Sequence, residues 1–103
     1  MTLTSKERAE LRAEAHRLSP LVHVGHHNLT DAVIQTIDDA LRTHELVKVA
    51  LARTSDVKPK DASHDLAEKL GADVVQTIGR TCTLYRENPD LKRKKGAPPP
   101  WRE

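Results

Sequence analysis

The chain has 103 residues, of which 17 are basic and 15 acidic, so its formal net charge is +2. This length fits one domain with a modest core, and no stretch approaches the ~18–20 consecutive apolar residues of a membrane helix. The N-terminus lacks the basic-then-apolar pattern of an export signal, and Cys82, the single cysteine, cannot form a disulfide within the chain. We therefore expect a cytoplasmic protein.

The first part of the chain predicts a helix followed by a strand. Thr4 and Glu7 have the T-x-x-E spacing of a capping box, which starts helix 1 at about 5–17. Strand 1 follows at about 21–24. The apolar stripe of helix 1 consists of Leu11, Ala15 and Leu18.

The middle of the chain predicts the same order again. Thr30 caps helix 2, about 31–43, and Leu29 and Ile34 have the spacing of a hydrophobic staple. Strand 2, about 46–52, has side chains that alternate between two faces. The buried face of helix 2 consists of Val33, Ile34, Ile37 and Leu41.

The last part of the body predicts a helix and a hairpin. Helix 3, about 61–70, ends at Gly71, and strands 3 and 4 follow at about 73–78 and 81–86. Only Gly79-Arg80 separates these two strands, which is typical of a type II′ hairpin. Helix 3 buries Ala62, Leu66 and Leu70.

The predicted order α-β-α-β-α-β-β is that of an α/β fold. Helical crossovers make strands 1, 2 and 3 parallel, and the tight hairpin makes strand 4 antiparallel to strand 3. We expect a mixed four-stranded sheet packed with helices over residues 1–86. Residues 87–103 hold five basic and three acidic residues and a run of three prolines. They predict a flexible, basic, Pro-rich tail, because they lack the apolar residues needed to fold alone.

Helix 1 is the first candidate surface for a polyanion. Its basic residues recur every four positions and could follow backbone phosphates, with Lys6 on another side. The alternative is an ordinary solvated face, balanced by neighbouring glutamates. The stripe consists of Arg8, Arg12 and His16.

The loop at 25–28 is the second candidate. It leaves the carboxyl end of a parallel strand and enters the N-terminus of a helix, where open α/β sheets bind ligands and free amides favour anions. His26 and His27 offer donors and rings that can stack on nucleotides. The alternative is an ordinary turn, and Asp31 weakens the case for an anion.

Arg80, at the exposed tip of the hairpin, is the third candidate. We expect it at the other end of strand 3 from the 25–28 loop, so one site joining them is not implied. The chain has six histidines but no Cys-x-x-Cys pair, so the sequence does not favour a metal site. No Walker, Rossmann or G-x-S-x-G motif suggests an enzyme. With Tyr85 and Trp101 as the only aromatic residues, stacking by several rings is excluded, and we expect Tyr85 to pack within the sheet.

Several segments together resemble the CRM domain in its stand-alone bacterial form, the YhbY-like proteins. The similarity extends over about residues 2–86, and the basic stripe of helix 1 also fits the first helix of that family. The matching segments are Leu29-Thr30, the HELVKV run from His44 to Val49, and Gly79-Arg80-Thr81 leading to Leu84-Tyr85-Arg86.

The resemblance implies a fold similar to the C-terminal domain of translation initiation factor three. It also implies RNA binding, with ribosomal RNA in precursors of the large ribosomal subunit as the partner, no cofactor, no membrane and no small-molecule substrate. The family's hallmark is a KH-like G-x-x-G loop before helix 2, which here has Asn28 in place of the second glycine. An acidic residue matching Asp31 also occurs in the family.

The candidate RNA-binding residues combine the three surfaces with the tail. They are Lys6, Arg8, Arg12, His16, Gly25, His26, His27, Asn28, Lys48, Arg80, Thr81, Lys92, Arg93, Lys94 and Lys95. The alternative function is a protein-interaction adaptor, in which Pro98-Pro99-Pro100-Trp101 docks into an aromatic groove. RNA binding should weaken steeply as salt rises, whereas an adaptor should bind its partner after nuclease treatment.

Overall fold

The computed structural model of the chain describes residues 3–24, 30–52 and 58–88. The helices and strands follow the predicted order and begin and end within two residues of their predicted bounds. They are α1 (Ser5–Ala15), β1 (Val22–Val24), α2 (Asp31–His44), β2 (Leu46–Leu51), α3 (Pro59–Leu70), β3 (Asp73–Ile78) and β4 (Thr81–Tyr85). α3 begins earlier than predicted because the fixed backbone angle of Pro59 suits the first turn of a helix.

The helix ends confirm the predicted capping signals. The Thr4 hydroxyl accepts from the Glu7 backbone N–H, and the Glu7 carboxylate accepts from the Thr4 backbone N–H, both at 3.1 Å. The bond from the Thr4 backbone lowers the pKa of Glu7 below its ordinary value. The Thr30 hydroxyl accepts from the Val33 N–H at 3.2 Å, and Gly71 ends α3 in the left-handed conformation.

The four strands form one mixed sheet in the order β1-β2-β4-β3. β1 is parallel to β2, and β4 is antiparallel to both of its neighbours. β1, β2 and β3 therefore run in one direction, as predicted, with β4 between β2 and β3. In the hairpin Gly79 has a φ of 57° and Arg80 has no positive φ, which fits the predicted type II′ turn.

A bulge interrupts β3. Val74 pairs with Leu84 and Gln76 pairs with Thr83, so Val75 is an extra residue in the ladder. As a result Val75 and Gln76 both lie on the α1 side of the sheet. The strand then returns to its alternation.

The sheet separates two cores. The larger core packs α2 and α3 against one face and includes the fully buried Ile37, Leu41, Leu66 and Leu84. Cys82 lies in this core, and burial raises the pKa of its thiol.

The smaller core lies beneath α1 on the opposite face. Tyr85 packs against it, as predicted, with the residues Leu3, Leu11, Leu46 and Val75. These contacts are at the end of the sheet where β2 begins and β4 ends, so α1 leaves the other half of this face uncovered. Among the described residues, no helix has the length and apolar character needed to cross a membrane.

The residues after β4 are bonded to the end of α2. The backbone N–H of Arg86 donates to the Glu45 carbonyl at 2.9 Å, and that of Asn88 donates to Glu45 Oε2 at 2.7 Å. Glu45 is fully buried and has a φ of 64°, which is uncommon for a residue other than glycine. The contacts of the body therefore extend to Asn88, two residues beyond the predicted boundary.

Candidate nucleic-acid interface

The charges of α1 lie on opposite flanks of the helix. Leu11 and Ala15 face the sheet between these flanks. The positive flank consists of Arg8, Arg12 and His16, and the negative flank consists of Glu7, Glu10 and Glu14. The glutamates are therefore not interleaved with the basic stripe, and a ligand could approach the positive flank without meeting them.

The positive flank borders the uncovered half of the sheet. Arg8 is half-buried, and its guanidinium donates to the Val74 carbonyl on β3. His16, two turns along the helix, borders a groove on the sheet, and Arg12 is exposed between the two. The fold thus holds Arg8 in place, whereas Arg12 and His16 face solvent. Lys6 is exposed on the side of α1 that is turned away from the sheet.

The uncovered half of the sheet forms a polar groove, which we call the sheet groove, with a volume of about 340 Å³. Strand register places Lys48, Thr83 and Gln76 in one row across it. The described residues that line it include no carboxylate and are His16, Pro20, Lys48, Gln76, Ile78, Thr81 and Thr83.

Lys48 gives the sheet groove a positive charge, and His23 lies on the same face of the sheet. The Lys48 ammonium donates to the Leu18 carbonyl at 3.1 Å, which holds it at the α1 side of the groove. His23 on β1 is exposed and pairs in register with Ala50, the neighbour of Thr81. His23 therefore lies on the side of the sheet groove nearest the edge strand β1.

The hairpin and the 25–28 loop leave the sheet at the same end, which corrects the prediction that they lie apart. The Ala52 N–H donates to the Val24 carbonyl at 2.9 Å, and the Leu51 N–H donates to the Arg80 carbonyl at 2.7 Å. The prediction was wrong because the hairpin follows the carboxyl end of β3, and the carboxyl ends of parallel strands meet at one edge. The loop residues 25–28 themselves lie outside the described residues.

Arg80 also differs from its predicted exposure. It is half-buried, and its guanidinium Nε donates to the Ala52 carbonyl at 3.0 Å. The side chain is therefore held against the end of β2 and does not project freely from the tip of the hairpin. This contact places a positive charge at the end of β2.

The structure thus brings several of the predicted residues to one surface. His16, Lys48 and Thr81 line the sheet groove, Arg12 is exposed one turn before His16, and Arg80 is held at the end of β2. Residues 92–95, also predicted, lie outside the described residues. Sequence reasoning missed His23, Gln76 and Thr83, because only the strand register, including the bulge, shows which way these side chains face.

A second basic cluster lies at the start of α3 and was not predicted. Lys58, Lys60 and His64 are exposed and line a groove of about 610 Å³ together with Val74 and Thr77. Thr77 faces the α3 side of the sheet, where its hydroxyl lies 2.9 Å from that of Ser63. The Lys-Pro-Lys sequence at the start of a helix was the signal that could have indicated this cluster.

Comparison with known proteins identifies the family of the chain. The family model of the CRS1/YhbY (CRM) domain matches residues 3–86. The Bacillus subtilis protein named "Probable RNA-binding protein YqeI" is 35% identical, over 88% of this chain and 95% of its own length. A Haemophilus influenzae protein named "RNA-binding protein" is also 35% identical, over 88% of this chain and 92% of its own.

The solution structure of SAV1595 from Staphylococcus aureus, described as a candidate RNA-binding protein, is similar in fold. It superposes with a TM-score of 0.68 at 33% identity, covering 88% of this chain and 95% of that one. The match therefore includes most of both chains. With its three helices, its four-stranded mixed sheet and a family match over nearly all of the body, the chain belongs to the CRS1/YhbY (CRM) domain family.

Proposed function

We propose that the chain binds RNA on the α1 side of its sheet. The observation that carries this proposal is the sheet groove, which His16 and Lys48 line with no carboxylate among its described residues, together with Arg80 at the end of β2. A phosphate backbone that lies on this surface meets Arg12 first, then Lys48, then Arg80, and meets no carboxylate in the groove. The names of the relatives support RNA as the polyanion.

We also include the 25–28 loop and the tail among the proposed RNA-binding segments. The loop follows Val24 directly, and Val24 lies at the same end of the sheet as Arg80. RNA that leaves the sheet groove at this end would meet the loop next. We expect the cluster at 92–95 to add attraction that does not depend on sequence.

The proposed target is ribosomal RNA in precursors of the large ribosomal subunit, and it rests on the resemblance described above. The protein would act there by holding RNA in position in the cytoplasm, without making or breaking a bond. We expect it to sediment with large-subunit precursors and to be absent from mature subunits. Crosslinking in cells, followed by sequencing of the attached RNA, would identify the site, and crosslinks confined to other RNAs would refute this target.

The test of RNA binding is Arg12→Glu. This exposed side chain makes no described contact with the rest of the fold, so we expect stability to be unchanged and RNA affinity to fall by about 10-fold or more. The matched control is Lys69→Glu, which changes the net charge equally but lies on α3, on the other face of the sheet. Fluorescence anisotropy with labelled RNA measures both variants.

The outcomes of this test separate the proposed function from its rivals. Wild-type affinity should fall steeply as salt rises, with a log–log slope of several units. Equal losses in Arg12→Glu and Lys69→Glu would show that only net charge matters and would overturn the proposed surface. Capture of a protein partner that survives nuclease, without affinity for RNA, would favour the adaptor.

A further inference from the structure

The floor of the sheet groove contains polar side chains that form no hydrogen bond with another described residue. Thr83 is only 1% exposed, yet no described residue forms a hydrogen bond with its hydroxyl. The side chains of Gln76 and Thr81, beside it, likewise have no hydrogen-bond partner among the described residues. All three side chains line the sheet groove, so a ligand that enters the groove can form hydrogen bonds with them.

The chemistry of these three groups suits a nucleoside better than a phosphate. An amide and two hydroxyls can both donate and accept hydrogen bonds. Base edges and the ribose 2′-hydroxyl also present both donors and acceptors, whereas phosphate oxygens only accept. Gln76 and Thr83 are register partners on adjacent strands, so their polar groups lie side by side.

The rest of the groove complements the remaining parts of a nucleotide. Ile78 is 58% exposed and, with Pro20, gives the groove apolar sides that can contact the face of a base. Lys48 supplies a positive charge for the attached phosphate. The volume of about 340 Å³ lies at the lower end of the range of about 300–1,000 Å³ that is typical of small-ligand sites.

We infer that the sheet groove binds one unpaired ribonucleotide, so that the ligand of this surface is single-stranded RNA. The inference rests on the proposed function and specifies its substrate class. A duplex keeps its base edges paired, and the major groove of A-form RNA is too deep and narrow for side chains to enter. Thr83 therefore cannot reach the bases of a duplex from the floor of the groove.

The test uses Thr83→Val and Gln76→Ala in the full chain, with Gln35→Ala on α2 as the matched control. Gln35 is exposed and bonds to Asp39 on the other side of the molecule. The probes are a labelled single-stranded RNA of about ten nucleotides, the same RNA annealed to its complement, and DNA of the same sequence. Anisotropy gives the affinities, and thermal unfolding checks each fold.

We expect wild type to bind the single-stranded RNA tighter than both the duplex and the DNA. Thr83→Val and Gln76→Ala should each weaken single-strand binding by about 3- to 10-fold and leave duplex binding unchanged. Equal wild-type affinity for duplex and single strand, with no effect of either variant, would overturn the inference while RNA binding stands. Failure of wild type to bind any RNA would overturn the proposed function itself. If Thr83→Val does not fold, the half-buried Gln76→Ala decides alone.

Discussion

The guanidinium of Arg86 joins elements that are far apart in sequence. It donates to Asp38 Oδ1 at 2.8 Å, to the Asp38 carbonyl at 3.2 Å and to the Leu70 carbonyl at 2.8 Å. α2, α3 and the end of β4 are thus linked through one planar group. This fork geometry is specific to arginine, since an ammonium is a single point charge.

Arg86→Lys should therefore lower the free energy of unfolding by about 1–3 kcal/mol, because lysine cannot reach all three acceptors. The control is Arg42→Lys, which changes another partner of the same carboxylate. The Arg42 Nη2 atom lies 3.0 Å from Asp38 Oδ2. Arg42 is 63% exposed, whereas Arg86 is 21% exposed, so its replacement should cost little. Urea unfolding measures both variants, and equal losses would contradict this role of Arg86.

Contacts between residues that are close in the chain could be predicted from the sequence, whereas long-range contacts could not. The capping bonds of Thr4 and Thr30 join residues three apart, so their spacing alone indicates them. Arg86 was noted as part of a family segment, yet its contact with Asp38 spans 48 residues. Such a contact depends on tertiary packing and leaves no local pattern.

α1 is the element on which the proposed surface most depends. An apolar stripe, a capping box and the bond from Arg8 to the Val74 carbonyl hold this helix, which carries Arg12 and is capped by His16. The Glu7 carboxylate accepts from the Thr4 N–H, which lowers the pKa of Glu7. A lowered pKa means that the charged form stabilises the folded state, fully above the ordinary value of 4.5, and that this stability is lost as pH falls through the folded pKa.

Glu7→Gln should accordingly lower the melting temperature at about pH 7, and the difference from wild type should shrink as pH falls from about 4.5 to 3. At the lower pH the wild-type side chain becomes protonated and resembles glutamine. The control is Glu10→Gln, which removes a charge from the same helix outside the capping box. Thermal unfolding across this pH range tests the prediction. If the melting temperatures of wild type and Glu7→Gln differ by the same amount at every pH, the capping bond is excluded as the cause.

The elements themselves were predictable, but their arrangement was only partly so. Periodicity is local, and it located all seven helices and strands in the described residues to within two residues. The position of β4 between β2 and β3, and the bulge at Val75, result from long-range pairing. For this reason the basic stripe of helix 1 was predictable, whereas the sheet groove beside it was not.

At the scale of the whole molecule, charge is divided unevenly along the chain. Residues 89–103 hold five basic and two acidic residues, so their removal changes the formal net charge from +2 to −1. The body that remains would depend on the placement of its positive side chains, because it has no net attraction for RNA. We therefore expect the surface to bind RNA through the placement of its positive side chains and the tail to bind RNA through its net charge.

Deleting 89–103 should weaken binding to every single-stranded RNA by a similar factor and reduce the salt slope by about 2 units. We expect the fold to persist, because the contacts of the described body extend to Asn88, which this deletion keeps. Deleting only 96–103 is the control, since it keeps the four basic residues at 92–95. Salt titrations of both truncations test this, and loss of affinity for one RNA sequence alone would contradict a purely electrostatic tail.

The extra residue in β3 has a consequence for related chains. With a regular ladder, Thr77 would face the ligand side and Gln76 would turn toward α3. Because of the extra residue, two consecutive side chains face the same side of the sheet. Val75 packs in the smaller core under α1, and Gln76 lines the sheet groove beside it. The length of this strand, as well as its composition, therefore determines which hydrogen-bonding groups are offered, and a homologue that lacks one residue here would present a different pattern from an otherwise identical sheet.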